Sequence, residues 1–191
     1  MADRHLPGDS VTDPQVAIKY LKDGNERYLK GALRDKSTYK ADRDVVIKGQ
    51  KPFAAVLTCS DSRTPPEIFF DQGIGDIFVC RNAGNFADDT ACGSIDFSVG
   101  VLGVQVVVVI GHNECGAVIN AHKGTSGLPE ELQCVLGKIQ ANFKGGDVND
   151  AVKENVMSSV ERIKGLKFVK EKGIPVLGAY YDIGTGVVTW Y

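Results

Sequence analysis

Two short stretches carry residues whose types and spacing could do chemistry. The apolar run Phe53-Ala54-Ala55-Val56-Leu57-Thr58 stops at Cys59, and Asp61 and Arg63 follow at alternate positions. It reads as a buried strand that delivers a thiol, a carboxylate and a guanidinium to one place. A second run, Val104-Gln105-Val106-Val107-Val108-Val109-Ile110, ends in Gly111-His112-Asn113-Glu114-Cys115-Gly116. Cys59, His112 and Cys115 together make a soft-to-borderline ligand set that points to zinc. Three protein ligands leave the fourth tetrahedral position open, as catalytic sites do. The carboxyl ends of parallel strands are also where open α/β sheets place their sites.

The other chemistry-bearing residues are less specific. Asp61 and Arg63 share a side of an extended segment, so a charge-assisted pair is feasible, with an ordinary structural salt bridge as the alternative. Cys80, Cys92 and Cys134 lack partners at ligand spacing and read as small buried hydrophobes. His122, two helical turns past Cys115, is placed either as a proton shuttle or as a surface histidine. His5 falls on an N-terminal stretch without periodicity, residues 1–12, which reads as a loose arm.

The elements that must position these groups follow in order. Asp13-Pro14 starts a helix, with a capping side chain and proline at the first helical position. It should run to Tyr28 or Leu29, with Val16, Tyr20, Leu21 and Tyr28 suited to packing. Residues 31–51 mix Lys, Arg and Asp and read as a solvated connector. Thr64-Pro65-Pro66-Glu67 matches a capping box, so a short helix with its positive end toward the site is expected behind Arg63. Asp76 to Cys80 reads as a strand and Arg81-Asn82-Ala83-Gly84-Asn85 as the loop beyond it. A helix should start at Asp89 or Thr90, with Ile95, Val99 and Leu102 on one face.

The run of residues 104–110 should be a central strand covered on both faces. Helices are expected around Ala117-Val118-Ile119 and around Leu132, Val135, Leu136 and Ile139. After the break at Lys144-Gly145-Gly146-Asp147, a longer helix should present Val148, Val152, Val156, Val160 and Ile163. Ile174 to Tyr181 and Val187 to Tyr191 read as a closing hairpin. The sum is a three-layer α/β fold: a mostly parallel central sheet, one antiparallel edge strand and an N-terminal helical arm. One domain is expected over residues 1–191, with an arm and helix in 1–50 and an α/β core in 51–191.

The chain has 191 residues and 43% hydrophobic content, enough for one buried core and short for two. A net charge of −2 without a basic cluster argues against nucleic-acid or membrane-surface partners. No apolar run approaches the roughly 18 residues that a membrane span needs. Five cysteines at irregular spacing argue against a disulfide framework and for a reducing cytoplasm. A polar N-terminus without an Arg- and Ser-rich leader leads to the expectation of an unprocessed chain.

C-x-D-S-R at Cys59 and H-x-x-C-G at His112 together resemble the β-class carbonic anhydrases of the non-allosteric, plant-like type. Gln50-x-Pro52-Phe53, Phe78-Val79-x-Arg81-Asn82, Glu154-Asn155-Val156, Gly24-Asn25-x-Arg27-Tyr28 and Gly178-Ala179-Tyr180-Tyr181 extend the resemblance over nearly the whole chain. It implies one zinc per chain and reversible hydration of carbon dioxide to bicarbonate and a proton by zinc-bound hydroxide. Asp61 and Arg63 would form the catalytic dyad, the carboxylate accepting a hydrogen bond from the hydroxide and the guanidinium holding it off the metal. Gln50, Phe78, Ala83, Phe97 and Gly116 would line the substrate cleft. Gln50 and Phe78 would face a neighbouring subunit's zinc, which implies a homodimer or higher homo-oligomer with N-terminal helices lying across the partner.

The chain departs from the family where Phe97 stands at a common tyrosine and Ala83 at a common valine. It keeps Arg81, but Val56 and Thr58 replace the tryptophan and glycine of bicarbonate-inhibited members. The expectation is that Arg63 retains Asp61 and leaves zinc open to solvent. The alternatives are a related zinc hydrolase acting on carbon disulfide or carbonyl sulfide, and a non-catalytic zinc-binding protein.

Overall fold

The computed structural model describes residues 5–191, the Lys36 side chain excepted. In chain order come helices α1 (Pro14–Leu29) and α2 (Tyr39–Val46), strand β1 (Ala54–Cys59), the single turn α3 (Pro66–Phe69) and strand β2 (Ile77–Asn82). Helix α4 (Asp89–Phe97) runs on through a π-helical turn at Ser98–Leu102 to strand β3 (Val106–His112). Then follow α5 (Gly116–Lys123), α6 (Glu130–Gln140), α7 (Val148–Lys164), α8 (Lys167–Lys172) and the strands β4 (Val176–Tyr181) and β5 (Val188–Trp190).

The five strands form one sheet in the order β2-β1-β3-β4-β5. β1 pairs in parallel with β2 and β3, β3 with β4, and only β4 with β5 is antiparallel. β1 and β3 are buried along their whole length because helices cover both faces of the sheet. Side chains alternate between those faces. Ala55, Leu57, Val107 and Val109 meet Ile95 of α4, Val156, Val160 and Ile163 of α7, and Val169 of α8. Ala54, Val56, Val106, Val108 and Ile110 meet Ala17, Ile18 and Leu21 of α1 together with Phe69 and Phe70. Each buried Val or Leu contributes about 1.5–3 kcal/mol, so these two layers hold β1 and β3 side by side. The expected three-layer fold and closing hairpin are both observed.

Several local expectations are corrected. His5 does not lie on a loose arm: it is buried against Tyr20 and Phe53, while residues 1–4 of that expectation lie outside the described residues. The connector contains helix α2, and its Asp42 is buried with Arg34 at 2.6 Å. Thr64 does not cap α3; Pro65 takes that place, and the Thr64 hydroxyl turns back to the Asp61 carbonyl at 3.1 Å. α3 is too short for a substantial dipole. Arg81 and Asn82 belong to β2, because pairing with Thr58 and Cys59 continues to the strand end. α8 was not expected. Val16 and Leu132 are partly exposed, and Cys134 lies on the surface.

α7 crosses β3 where the strand has no side chain. A Cβ on Gly111 would stand 2.8 Å from both Val152 Cγ1 and Val156 Cγ2. Both valines are buried on a packed helix, so neither can yield without moving α7. Gly111→Ala is expected to destabilise the fold by about 1–3 kcal/mol, read as a lower urea midpoint at unchanged m-value.

Candidate metal centre

Cys59 is the last residue of β1, His112 the last of β3, and Cys115 the N-cap of α5. The register pairs Thr58 with Ile110, so both strands end at the same level and a tight turn returns Cys115 to that place. Glu114 holds that turn with φ 51, a left-handed conformation uncommon for a residue with a side chain. The three side chains are buried, their ligand atoms lie within 4.8 Å of one another, and the two sulfurs are 3.9 Å apart.

The donor set fits zinc. His112 Nδ1 lies 2.7 Å from the Asn113 carbonyl, which can only accept, so Nδ1 carries the proton. Nε2 then presents its lone pair, and it is a buried atom without a hydrogen-bond partner. That orphaned atom beside two thiols is what a metal ligand requires. A hydrogen bond from the Cys115 thiol is the largest cause pulling Cys59 down to about 4, and in return the bond to Cys59 pushes Cys115 up. The Gly84 N–H supports the Cys59 sulfur at 3.3 Å. Gly84 has φ +90, and a Cβ there would meet Ile139 Cδ1 at 2.4 Å. Asn155 of α7 fixes this glycine by donating to its carbonyl at 2.7 Å.

Asp61 and Arg63 close on each other. Arg63 Nε and its backbone N–H donate to Asp61 Oδ1, each at 2.9 Å, and its terminal nitrogen donates to Oδ2 at 2.7 Å. That terminal nitrogen also reaches the Glu114 carbonyl at 3.0 Å, bridging the two ligand loops. The Arg63 hydrogen bond is the main reason Asp61 sits well below the usual carboxylate range. Asp61 thus stays ionised through mildly acidic pH. Among the described residues the converged ligand set comprises Cys59, His112 and Cys115, without Asp61.

Arg81 has a task that its motif did not reveal. Its guanidinium donates to the Cys59 carbonyl at 2.9 and 2.7 Å and to the Asp61 carbonyl at 2.7 Å, so it clamps the loop bearing ligand and dyad. The sign that it bridges neighbouring strands lies in the pairing of Thr58 with Arg81, which the sequence does not print.

The expected cleft residues divide into two groups. Ala83 and Gly116 line a cleft of about 310 Å3 with Ala117, Asn120, Leu128, Leu132 and Leu136. It adjoins the ligands, since Gly116 follows Cys115 and Ala83 precedes Gly84. Phe78 borders a separate cleft along β2, its ring 6.4 Å from the half-exposed Phe97. Gln50 is exposed between α2 and β1. A third cleft of about 330 Å3, lined by Lys138, Asn142, Ser158 and Arg162 among others, holds none of the ligands. His122 is exposed, its ring 6.0 Å from that of Phe143.

This combination of a four-parallel-strand core, a hairpin edge and a Cys-His-Cys set at the strand ends defines a class of metal site, and comparison with known proteins identifies it. The family model described as carbonic anhydrase matches residues 54–188, and the chain belongs to that family, in its β class. It is 46% identical over 194 residues to a carbonic anhydrase of Mycolicibacterium smegmatis, covering 93% of each chain. It is 48% identical over 107 residues to carbonic anhydrase 2 of Mycobacterium tuberculosis; the match takes in 56% of this chain and 52% of that one, so it spans about half the length of that relative. The solved β-carbonic anhydrase CcaA superposes with a TM-score of 0.72 at 25% identity, over 92% of this chain and 88% of that one.

Arg81→Met should leave two loop carbonyls without their charged donor. The expected cost is about 1.5–3 kcal/mol of stability. Faster zinc loss to a chelator should accompany it, followed by a colorimetric zinc indicator.

Proposed function

We propose that this chain catalyses the reversible hydration of carbon dioxide to bicarbonate and a proton, with one zinc held by Cys59, His112 and Cys115. The observation that carries the reading is the buried convergence of three donors, with the His112 Nε2 lone pair unpartnered, beside an apolar cleft whose lining begins at the next residue, Gly116. Zinc held there supplies Lewis acidity that makes water a nucleophile near neutral pH, a behaviour established on carbonic anhydrases themselves.

The chain's own residues do the rest. Ala83, Ala117, Leu128, Leu132 and Leu136 offer an apolar wall that suits a small uncharged substrate and keeps bulk water away. Asp61 stays an acceptor, and its ionised carboxylate orients the proton of the attacking group. Arg63 occupies both carboxylate oxygens and keeps Asp61 off the metal. Val56, buried in the core, stands where the bicarbonate-sensitive members have tryptophan, so their inhibitor pocket is incomplete here, which favours an open fourth position.

A purely structural zinc site would be closed by a fourth Cys or His. Among the described residues the set comprises three, which favours a catalytic site. Gln50, Phe78 and Phe97 stand away from their own chain's apolar cleft and expose polar and aromatic surface. We read them as the part of the cleft supplied to a neighbour, making the working unit a homodimer or higher oligomer. The arm of residues 1–50 and the core of 51–191 form one domain in this reading. The free state of all five cysteines supports a reducing cytoplasmic setting, and among the described residues no helix is long and apolar enough to cross a membrane.

Cys59→Ser should lose zinc and carbon dioxide hydration together, because a hydroxyl is a poor zinc ligand at neutral pH. Metal analysis and stopped-flow hydration check this, and normal turnover with one zinc per chain would refute the assignment. Carbonyl sulfide and carbon disulfide assayed beside carbon dioxide discriminate the related hydrolase. Sedimentation of the active enzyme should give a dimer or larger species, whereas an active monomer would overturn the shared cleft.

A further inference from the structure

A further buried polar cluster lies at the amino end of the sheet, away from the ligands, and it is chained through one histidine. His5 is 5% exposed and Asp76, just before β2, is 1% exposed. His5 Nδ1 stands 2.8 Å from Asp76 Oδ1, and Nε2 stands 3.2 Å from the Asp9 carbonyl. Asp76 Oδ2 accepts the Gly73 N–H at 2.5 Å and the Arg34 guanidinium at 3.3 Å, and Arg34 reaches Asp42 of α2 at 2.6 Å.

These partners decide the protonation of the ring. A carbonyl oxygen can only accept, so Nε2 must donate. The oxygen of a carboxylate that already takes a guanidinium and an amide as donors accepts here too, so Nδ1 must donate as well. A neutral imidazole has one donor and one acceptor and would set a lone pair against an oxygen at one of the two contacts. The charge balance agrees: Asp42 and Asp76 carry two negative charges against the one of Arg34, and a protonated His5 completes the neutralisation of these four groups.

We propose that His5 is an imidazolium latch that clamps the N-terminal segment, and through Asp76 and Arg34 the α2 arm, onto the amino end of the sheet only while both ring nitrogens are protonated. The arm leads through residues 47–52 to β1, so the latch also sets the base from which Gln50 projects. Among the described residues the groups facing the ring are Asp76 from the β2 end, Asp9 from its own segment, Tyr20 from α1 and Phe53 before β1, with Arg34 and Asp42 behind Asp76. Burial opposes the charge, but Asp76, by hydrogen bond and Coulomb attraction, and Asp9 together outweigh it, and His5 is raised from its ordinary value of 6.5. The latch therefore contributes its full stability below the unfolded value of 6.5 and loses it as pH rises through the folded one.

The test uses the full-length zinc enzyme with 13C-labelled histidine; three histidines, resolved by the His5→Gln variant, make the spectrum assignable. The His5 ring should titrate above 6.5, and Asp42→Asn should lower its midpoint, since Arg34 then turns wholly to Asp76. Amide protection of residues 6–12, corrected for intrinsic exchange, should fall as pH rises from 6.5 through the folded midpoint, by about tenfold per pKa unit of upward shift. In His5→Gln this fall should vanish, and the melting-temperature gap to wild type should narrow as pH rises. A midpoint at or below 6.5, or protection that falls equally in His5→Gln, would overturn the latch.

Discussion

The parallel pairing of β1 with β3 is the constraint on which the rest of the centre depends. Thr58 opposite Ile110 makes the two strands end together, so ligands far apart in the chain arrive at one level with little chain left to fold. That pairing rests in turn on burial of both strands on both faces, which the small and branched apolar residues 54–57 and 106–110 allow. Arg81 then fixes the end of β1 from the neighbouring strand, and Asn155 fixes Gly84 from α7. The site is a by-product of good core packing plus two clamps.

How much of this was legible in the sequence follows from the range of each interaction. Predominantly apolar runs leading to Cys59 and His112 announced the strands and ligands, because a run of that length has few other homes. Asp13-Pro14 announced α1, and Asp13 does cap it at 2.8 Å. The misreadings fall where a charged or polar residue finds a distant partner. Asp42 looks solvated until Arg34 folds onto it, and His5 looks mobile until Asp76 arrives from 71 positions away. Thr64 carried the cap signature, but carbonyls at the end of β1 competed for its hydroxyl. Arg81 was visible as part of a motif, while its task was hidden in the register between β1 and β2.

The two ends of the sheet are built on different principles. At the carboxyl end, the thiols Cys59 and Cys115 are gathered within an apolar shell of Phe86, Val118, Leu136 and Ile139, with the Asp61–Arg63 pair more exposed beside them. At the amino end, carboxylates, a guanidinium and an imidazole tie the arm down by charge. Salt and pH act on the second end, whereas metal supply acts on the first.

The 56-residue separation of Cys59 and Cys115 has a thermodynamic consequence. An ion held by both sulfurs joins strand ends that are remote in the unfolded chain, and it binds the folded form in preference. By mass action each tenfold excess of free metal over its dissociation constant adds about 1.4 kcal/mol to folding stability. The chain's persistence in a cell is thereby tied to zinc supply, and protease sensitivity under zinc starvation reports on occupancy of the centre.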